Sequence, residues 1–209
     1  MPKHLFLEGP IRSGKSTLIK KCLASCNITP GGFSCKRYLD DTGSIRAFGL
    51  VDPADQEVDG VYDPALHGDP DNGIAPEDPG IFLMKKSRGM QVDTDAFIRT
   101  GIKLLDASKN ADLILMDEIG GVELMSAVFR AKLTEILAGD IPCIGVLKQL
   151  THARTMEKRA GKENDIAQAN EDLRREIIES GGIIVSFSRE DLASAEKSIL
   201  DFLKENRNV

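Results

Sequence analysis

No stretch of this 209-residue chain approaches the roughly 18 consecutive apolar residues that a membrane-spanning helix needs. The opening Met1-Pro2-Lys3-His4-Leu5 runs straight into a short apolar segment with no cleavage-site pattern, so a cytoplasmic address is the default expectation. Basic residues are outnumbered, 27 Lys and Arg against 33 Asp and Glu, which leaves a net charge of −6. A nucleic-acid partner usually needs a broad basic surface, so none is expected, although a small basic pocket for phosphate fits inside an acidic shell. No membrane partner is expected either, and nothing points to a particular protein partner. Cysteine is scarce. Cys22, Cys26, Cys35 and Cys143 have neither metal-ligand nor redox spacing and are expected to be reduced apolar fillers. Internal repeats and low-complexity tracts are absent.

What is present is the balance of an ordinary globular protein, and 209 residues suffice for one substantial core with an elaborated loop. Short apolar runs alternate with helical patterns, the signature of βα units and a largely parallel sheet. Leu5-Phe6-Leu7, Leu113 to Met116, Cys143 to Leu147 and Ile183 to Val185 read as strands. Helices are expected through Leu18, Ile19, Cys22, Leu23 and Cys26, and through Val122, Met125, Val128, Phe129, Leu133, Ile136 and Leu137. A last helix opens on the capping-box-like Ser188-Arg189-Glu190-Asp191 and is expected to bury Leu192, Ala195, Ile199 and Phe202. Residues 31 to 51 read as two strands around Asp41-Thr42-Gly43. The expectation is therefore an α/β fold, a three-layer sandwich with a mostly parallel sheet and helices on both faces. One domain would span residues 1 to 209, with an irregular acidic loop at about 52 to 80 and a polar, lid-like segment at about 148 to 170. Asp69-Pro70-Asp71-Asn72-Gly73 suggests calcium at first sight, but EF-hand spacing and its closing glutamate are missing, and turn chemistry explains the composition.

Gly9-Pro10-Ile11-Arg12-Ser13-Gly14-Lys15-Ser16 matches the Walker A pattern at every fixed position, between an apolar strand and an amphipathic helix. Glycines let the backbone wrap a phosphate so that successive N–H groups point at it, and the helix adds its positive N-terminal end. Lys15 would reach the β- and γ-phosphates, the Ser16 hydroxyl would ligate magnesium, and Thr17 would donate to the α-phosphate. The second half of such a site is an acid ending another buried strand. Leu113-Ile114-Leu115-Met116-Asp117-Glu118 supplies it, with Asp117 in the magnesium shell. Glu118, directly after it, can face the γ-phosphate and orient or deprotonate water. Arg12, Arg154 and Arg159 are the candidates for an arginine finger.

The run Asp117-Glu118-Ile119-Gly120-Gly121-Val122-Glu123-Leu124 resembles the DEIGxMEL extended Walker B of the small P-loop nucleoside-triphosphatases of the thermophile and cancer-related type. His4 to Pro10, Gly32-Phe33, Val92-Asp93 with Phe97, Phe129, and Phe187 to Glu190 fall in the same order, so the similarity runs over most of the chain. The resemblance implies slow, magnesium-dependent hydrolysis of ATP, GTP and other NTPs to the diphosphate and phosphate. It carries phosphate binding onto Gly9, Pro10, Ile11, Arg12, Ser13, Gly14, Lys15, Ser16 and Thr17, magnesium onto Ser16 and Asp117, and water activation onto Glu118. Glu123 matches the family's second glutamate; it either positions the active-site loop or simply favours the start of the next helix. Departures are Gly121-Val122 in place of Lys-Met, Ser87 to Gln91 in place of Gly-x-Tyr, a longer segment 148 to 170 and a more acidic loop 52 to 80. They bear on substrate preference and rate.

Two other readings share the core. A nucleoside or nucleotide kinase would use the second polar stretch as a lid, although Glu118 beside Asp117 favours water as acceptor. A nucleotide-dependent switch would order its polar loops around the γ-phosphate. The Asn-Lys-x-Asp guanine-reading motif is absent, which argues against a Ras-type GTPase.

Overall fold

The computed structural model describes residues 2–55, 57, 59–160 and 165–206, with the backbone alone for 158–160. Its strands are β1 (His4–Glu8), β2 (Gly31–Leu39), β3 (Ile45–Val51), β4 (Asp59–Val61), β5 (Ile81–Lys86), β6 (Gly89–Val92), β7 (Ile114–Ile119), β8 (Cys143–Leu147) and β9 (Gly182–Ser186). The helices are α1 (Lys15–Ser25), α2 (Pro64–His67), α3 (Thr94–Ala107), α4 (Ala127–Ala138), α5 (Leu150–Ala160), α6 (Ile166–Glu179) and α7 (Leu192–Glu205). The sheet runs β6-β5-β3-β2-β7-β8-β1-β9, with β4 beside β2. From β2 to β9 neighbouring strands are parallel, whereas β3, β5 and β6 extend the sheet with antiparallel pairings. This is the α/β sandwich expected from the sequence. Among the described residues no helix is long and apolar enough to cross a membrane.

The central strands are continuously apolar because both of their faces are covered. Phe6, Ile114, Met116, Cys143 and Leu147 meet Phe97, Phe129, Leu133, Leu173 and Ile177 from α3, α4 and α6. Leu5, Leu7, Leu113, Leu115, Ile144 and Val146 point the other way, into Leu18, Ile19, Cys22, Ile199 and Phe202 of α1 and α7. The alternation along β1, β7 and β8 is thus the period-2 pleat feeding two hydrophobic layers. Burial of each large side chain stabilises by about 1.5–3 kcal/mol before the entropy of ordering is subtracted.

Several local expectations are corrected. The helix expected from Val122 breaks in two: Val122–Met125 form one 3₁₀ turn, and Ser126 starts α4 by accepting from the Phe129 N–H at 3.3 Å. Met125 and Val128 are consequently exposed. The final helix begins at Leu192, not at Ser188, because the Ser188 hydroxyl bonds the Asp191 carboxylate at 2.7 Å and closes a turn there. Leu192 is exposed, whereas Ala195, Ile199 and Phe202 are buried as expected. The polar segment 148 to 170 holds α5 and the start of α6. The acidic loop contains β4, α2 and an Asp69–Ile74 bridge. Its acids serve turns: Asp52, Asp63, Asp69 and Asp78 each accept a backbone N–H two residues on.

His4 joins two layers at the start of β1. Its Nδ1 accepts the Cys143 N–H at 3.0 Å, so Nε2 carries the proton and donates to the Leu137 carbonyl at 3.0 Å. Burial pushes the imidazole below its ordinary value, against the carbonyl bond, and Lys3 pushes the same way. The unfolded chain takes up this proton at about pH 6.5 while the folded chain resists it, so stability is present above that value and falls as the pH falls. Urea midpoints are expected to drop more steeply between pH 7.5 and 5.5 in wild type than in His4→Gln; parallel slopes would refute the assignment.

Candidate functional site

The loop between β1 and α1 is built from a tight backbone. A Cβ at Gly9 would lie 2.2 Å from the Phe187 carbonyl, and Gly14, at φ 102, turns the chain into α1. Pro10, Ile11, Arg12, Gly14 and Thr17 are exposed, Ser13 and Ser16 are half-buried, and Gly9 and Lys15 are buried. Lys15 folds back over the loop. Its ammonium donates to the Gly9 carbonyl at 3.0 Å, the Pro10 carbonyl at 2.7 Å and the Ser13 hydroxyl at 3.3 Å. Burial pushes its pKa down, opposed by the charges of Glu118 and Asp117.

Asp117 ends the apolar part of β7 and reaches this loop although β8 lies between β7 and β1. Its Oδ1 accepts the Ser16 hydroxyl at 2.8 Å and its Oδ2 accepts the Cys35 N–H at 3.1 Å. The carboxyl is 1% exposed and is pushed up to about 6, first by burial and then by the neighbouring Glu118, against those two hydrogen bonds. Such a carboxylate gains from a nearby cation. Hydroxyl and carboxylate oxygens, few in number, suit magnesium, which keeps waters and phosphate oxygens as its other ligands. Among the described residues no group of three or more His, Cys, Asp or Glu is placed to form a metal cage.

Glu118 adopts φ 66, a left-handed conformation that disfavours a side-chain-bearing residue, and its side chain is 40% exposed. Three groups hold this turn. Glu123 is 3% exposed, and its Oε1 accepts the Gly120 N–H at 2.6 Å and the Gly121 N–H at 2.7 Å. Glu123 thus holds the loop after β7, and it also lies in the first turn of the 3₁₀ segment Val122–Met125, so its position fits both of the roles open for it. Asn170, fully buried on α6, donates through Nδ2 to the carbonyls of Gly120 and Lys148 at 2.8 and 3.1 Å. Lys148, just past β8, donates through Nζ to the Glu118 carbonyl. Its Nζ also lies 3.8 Å from Glu118 Oε2 and 4.0 Å from Glu123 Oε1. Burial depresses the Lys148 pKa, but Glu123 and Glu118 outweigh it and the net shift is upward. Arg174 completes the cluster, donating to Asn170 Oδ1 at 2.8 Å and to the Glu8 carboxylate at the end of β1.

The profile of the family described as NTPase matches residues 4–181. The chain belongs to that family. The crystal structure of THEP1 from the hyperthermophile Aquifex aeolicus is similar in fold, with a TM-score of 0.60 over 96% of this chain and 99% of that one, at 18% identity. No curated protein matches the chain. The family resemblance read from the sequence agrees with both findings.

Within this NTPase-family chain the structure brings together Lys15, Ser16, Asp117 and Glu118, with Ser16 and Asp117 bonded across 101 positions of sequence. Arg12 lies in the loop itself and receives an Arg189 guanidinium hydrogen bond on its carbonyl at 3.3 Å. Arg154 sits exposed on α5 and pairs with Glu171 of α6 at 3.5 Å, a surface contact of small energetic weight. The Arg159 side chain lies outside the described residues. Sequence reasoning missed Lys148, Asn170, Arg174 and Glu8 as site residues; no local pattern marks them, because strand order brings them together.

Removing the Glu123 carboxylate would orphan two buried N–H groups. Glu123→Ala is expected to lower the unfolding free energy by about 3 kcal/mol. Urea titration checks this, and a loss below about 0.5 kcal/mol would mean that water satisfies the loop equally well.

Proposed function

We propose that this chain hydrolyses nucleoside 5′-triphosphates, ATP and GTP among them, to the diphosphate and phosphate with magnesium. The observation that carries the reading is Glu118, held at φ 66 directly after the buried Asp117 that bonds Ser16 at 2.8 Å. A strained residue of this kind persists where its surroundings over-determine it, and such residues cluster at active sites.

In this reading the N–H groups of residues 9 to 14 and the α1 N-terminus receive the phosphates, and Lys15 leaves its carbonyls for the β- and γ-phosphate oxygens. Thr17 donates to the α-phosphate. Ser16 and Asp117 hold magnesium, which when bound neutralises charge on the phosphates. Glu118 accepts a proton from water as the water oxygen bonds to the γ-phosphorus. The bond from that phosphorus to the β,γ-bridging oxygen breaks, the diphosphate leaves with the electron pair, and Glu118 returns its proton to solvent.

Phosphate release from ATP, GTP, CTP and UTP with magnesium tests the reading. Release from several of the four supports it; tight binding without release overturns it in favour of another phosphoryl acceptor.

A further inference from the structure

Lys148 is a cation that the proposed chemistry does not yet use, and both its main chain and its side chain are held in place. It follows the last residue of β8, the strand between the two that carry the phosphate loop and Asp117. Its main chain is fixed on both sides: its N–H donates to the Ile119 carbonyl at 2.8 Å, and its carbonyl accepts from Asn170 at 3.1 Å and Arg174 at 3.4 Å. From this anchored point the side chain, 14% exposed, passes over the Phe97 ring at 6.0 Å and ends between two carboxylates.

We propose that Lys148 is a positioning residue for hydrolysis: its ammonium, bonded to the Glu118 carbonyl and facing the Glu118 and Glu123 carboxylates, fixes the direction in which Glu118 presents its base. The inference rests on the reading of Glu118 as that base. The geometry divides the labour among the neighbours. Glu123 holds the peptide N–H groups after the turn, and Asn170 holds the Gly120 carbonyl. Lys148 alone among these three touches Glu118 itself, at its carbonyl and beside its carboxylate. Without the cation, the two carboxylates would face a shared space uncompensated, and the half-exposed Glu118 would swing toward solvent. Ground-state binding of the nucleotide would persist, because the phosphate loop, Lys15 and Ser16 make no contact with Lys148 among the hydrogen bonds described.

A double-mutant cycle on the full chain separates this role from a structural one. Lys148→Met is expected to lower kcat for ATP by about thirtyfold or more, while KM and the Kd for nucleotide shift less than about threefold. In a Glu118→Gln background the same substitution is expected to change kcat by less than about twofold, since it acts through a base already removed. A loss that multiplies that of Glu118→Gln overturns the proposal and assigns Lys148 a direct contact with phosphate or a general effect on folding. Wild-type kcat in Lys148→Met overturns it as well. If Lys148→Met fails to fold by its melting curve, Lys148→Gln, which keeps a donor but no charge, is read by the same criteria. Normal turnover in Glu118→Gln would instead overturn the base reading, and this inference with it.

Discussion

Lys15→Ala is expected to weaken binding of nucleoside triphosphate by at least about a hundredfold, on the order of 2.7 kcal/mol. In the structure the ammonium is buried and spends its three hydrogens on two carbonyls and one hydroxyl of its own loop. Those partners are neutral. Phosphate oxygens are charged, and charge-assisted hydrogen bonds are roughly twice as strong as neutral ones. Binding therefore exchanges weaker partners for stronger ones, with the side chain already ordered beside its destination. The alanine variant loses that gain and leaves the Gly9 and Pro10 carbonyls to water. Calorimetric titration with a slowly hydrolysed triphosphate analogue measures the effect. Unchanged affinity would sink the phosphate-site reading, provided that the variant's melting curve shows an intact fold.

Glu118→Gln should bind nucleotide as wild type does and release phosphate on the order of a hundredfold more slowly, or worse. The amide matches the carboxylate in shape, so the left-handed turn and its hydrogen bonds to Lys148, Glu123 and Asn170 stay in place. What disappears is the proton acceptor. Single-turnover phosphate release at saturating nucleotide isolates that step. Full-speed turnover would remove Glu118 from the chemistry and turn attention to Glu123, whose Oε1 is held by two backbone N–H groups in a buried place.

Both predictions concern residues that were legible in the sequence, and the reason is local. A phosphate loop needs its glycines and lysine at fixed spacing, and a metal-holding acid at the end of a doubly covered strand follows an unbroken apolar run. The strands β1, β7, β8 and β9 were readable for the same reason, as was the β2–β3 hairpin at its Asp-Thr-Gly turn. The antiparallel extension through β5 and β6 was not, because Ile81 and Met84 face a small cluster while Met90 and Val92 are exposed, which blurs any strand period. The α5–α6 region read as polar because α6 buries only an intermittent stripe of Ile166, Ala169, Leu173 and Ile177. Lys148 read as the first residue of the polar, lid-like segment 148 to 170. Its importance depends on β8 lying between β1 and β7, and strand order is a long-range fact that no window of neighbouring residues contains.

The bond from Arg174 to Glu8 joins residues 166 positions apart, and through Asn170 the same helix holds the turns after β7 and β8. During synthesis, then, a chain exposed as far as α5 already carries every residue of the phosphate-loop and acidic motifs, yet the ends of three strands still lack their common brace. The brace joining the ends of β1, β7 and β8 is therefore complete only once α6 has been made, so the last part of the site to be fixed in place is the turn after β7 and not the phosphate loop.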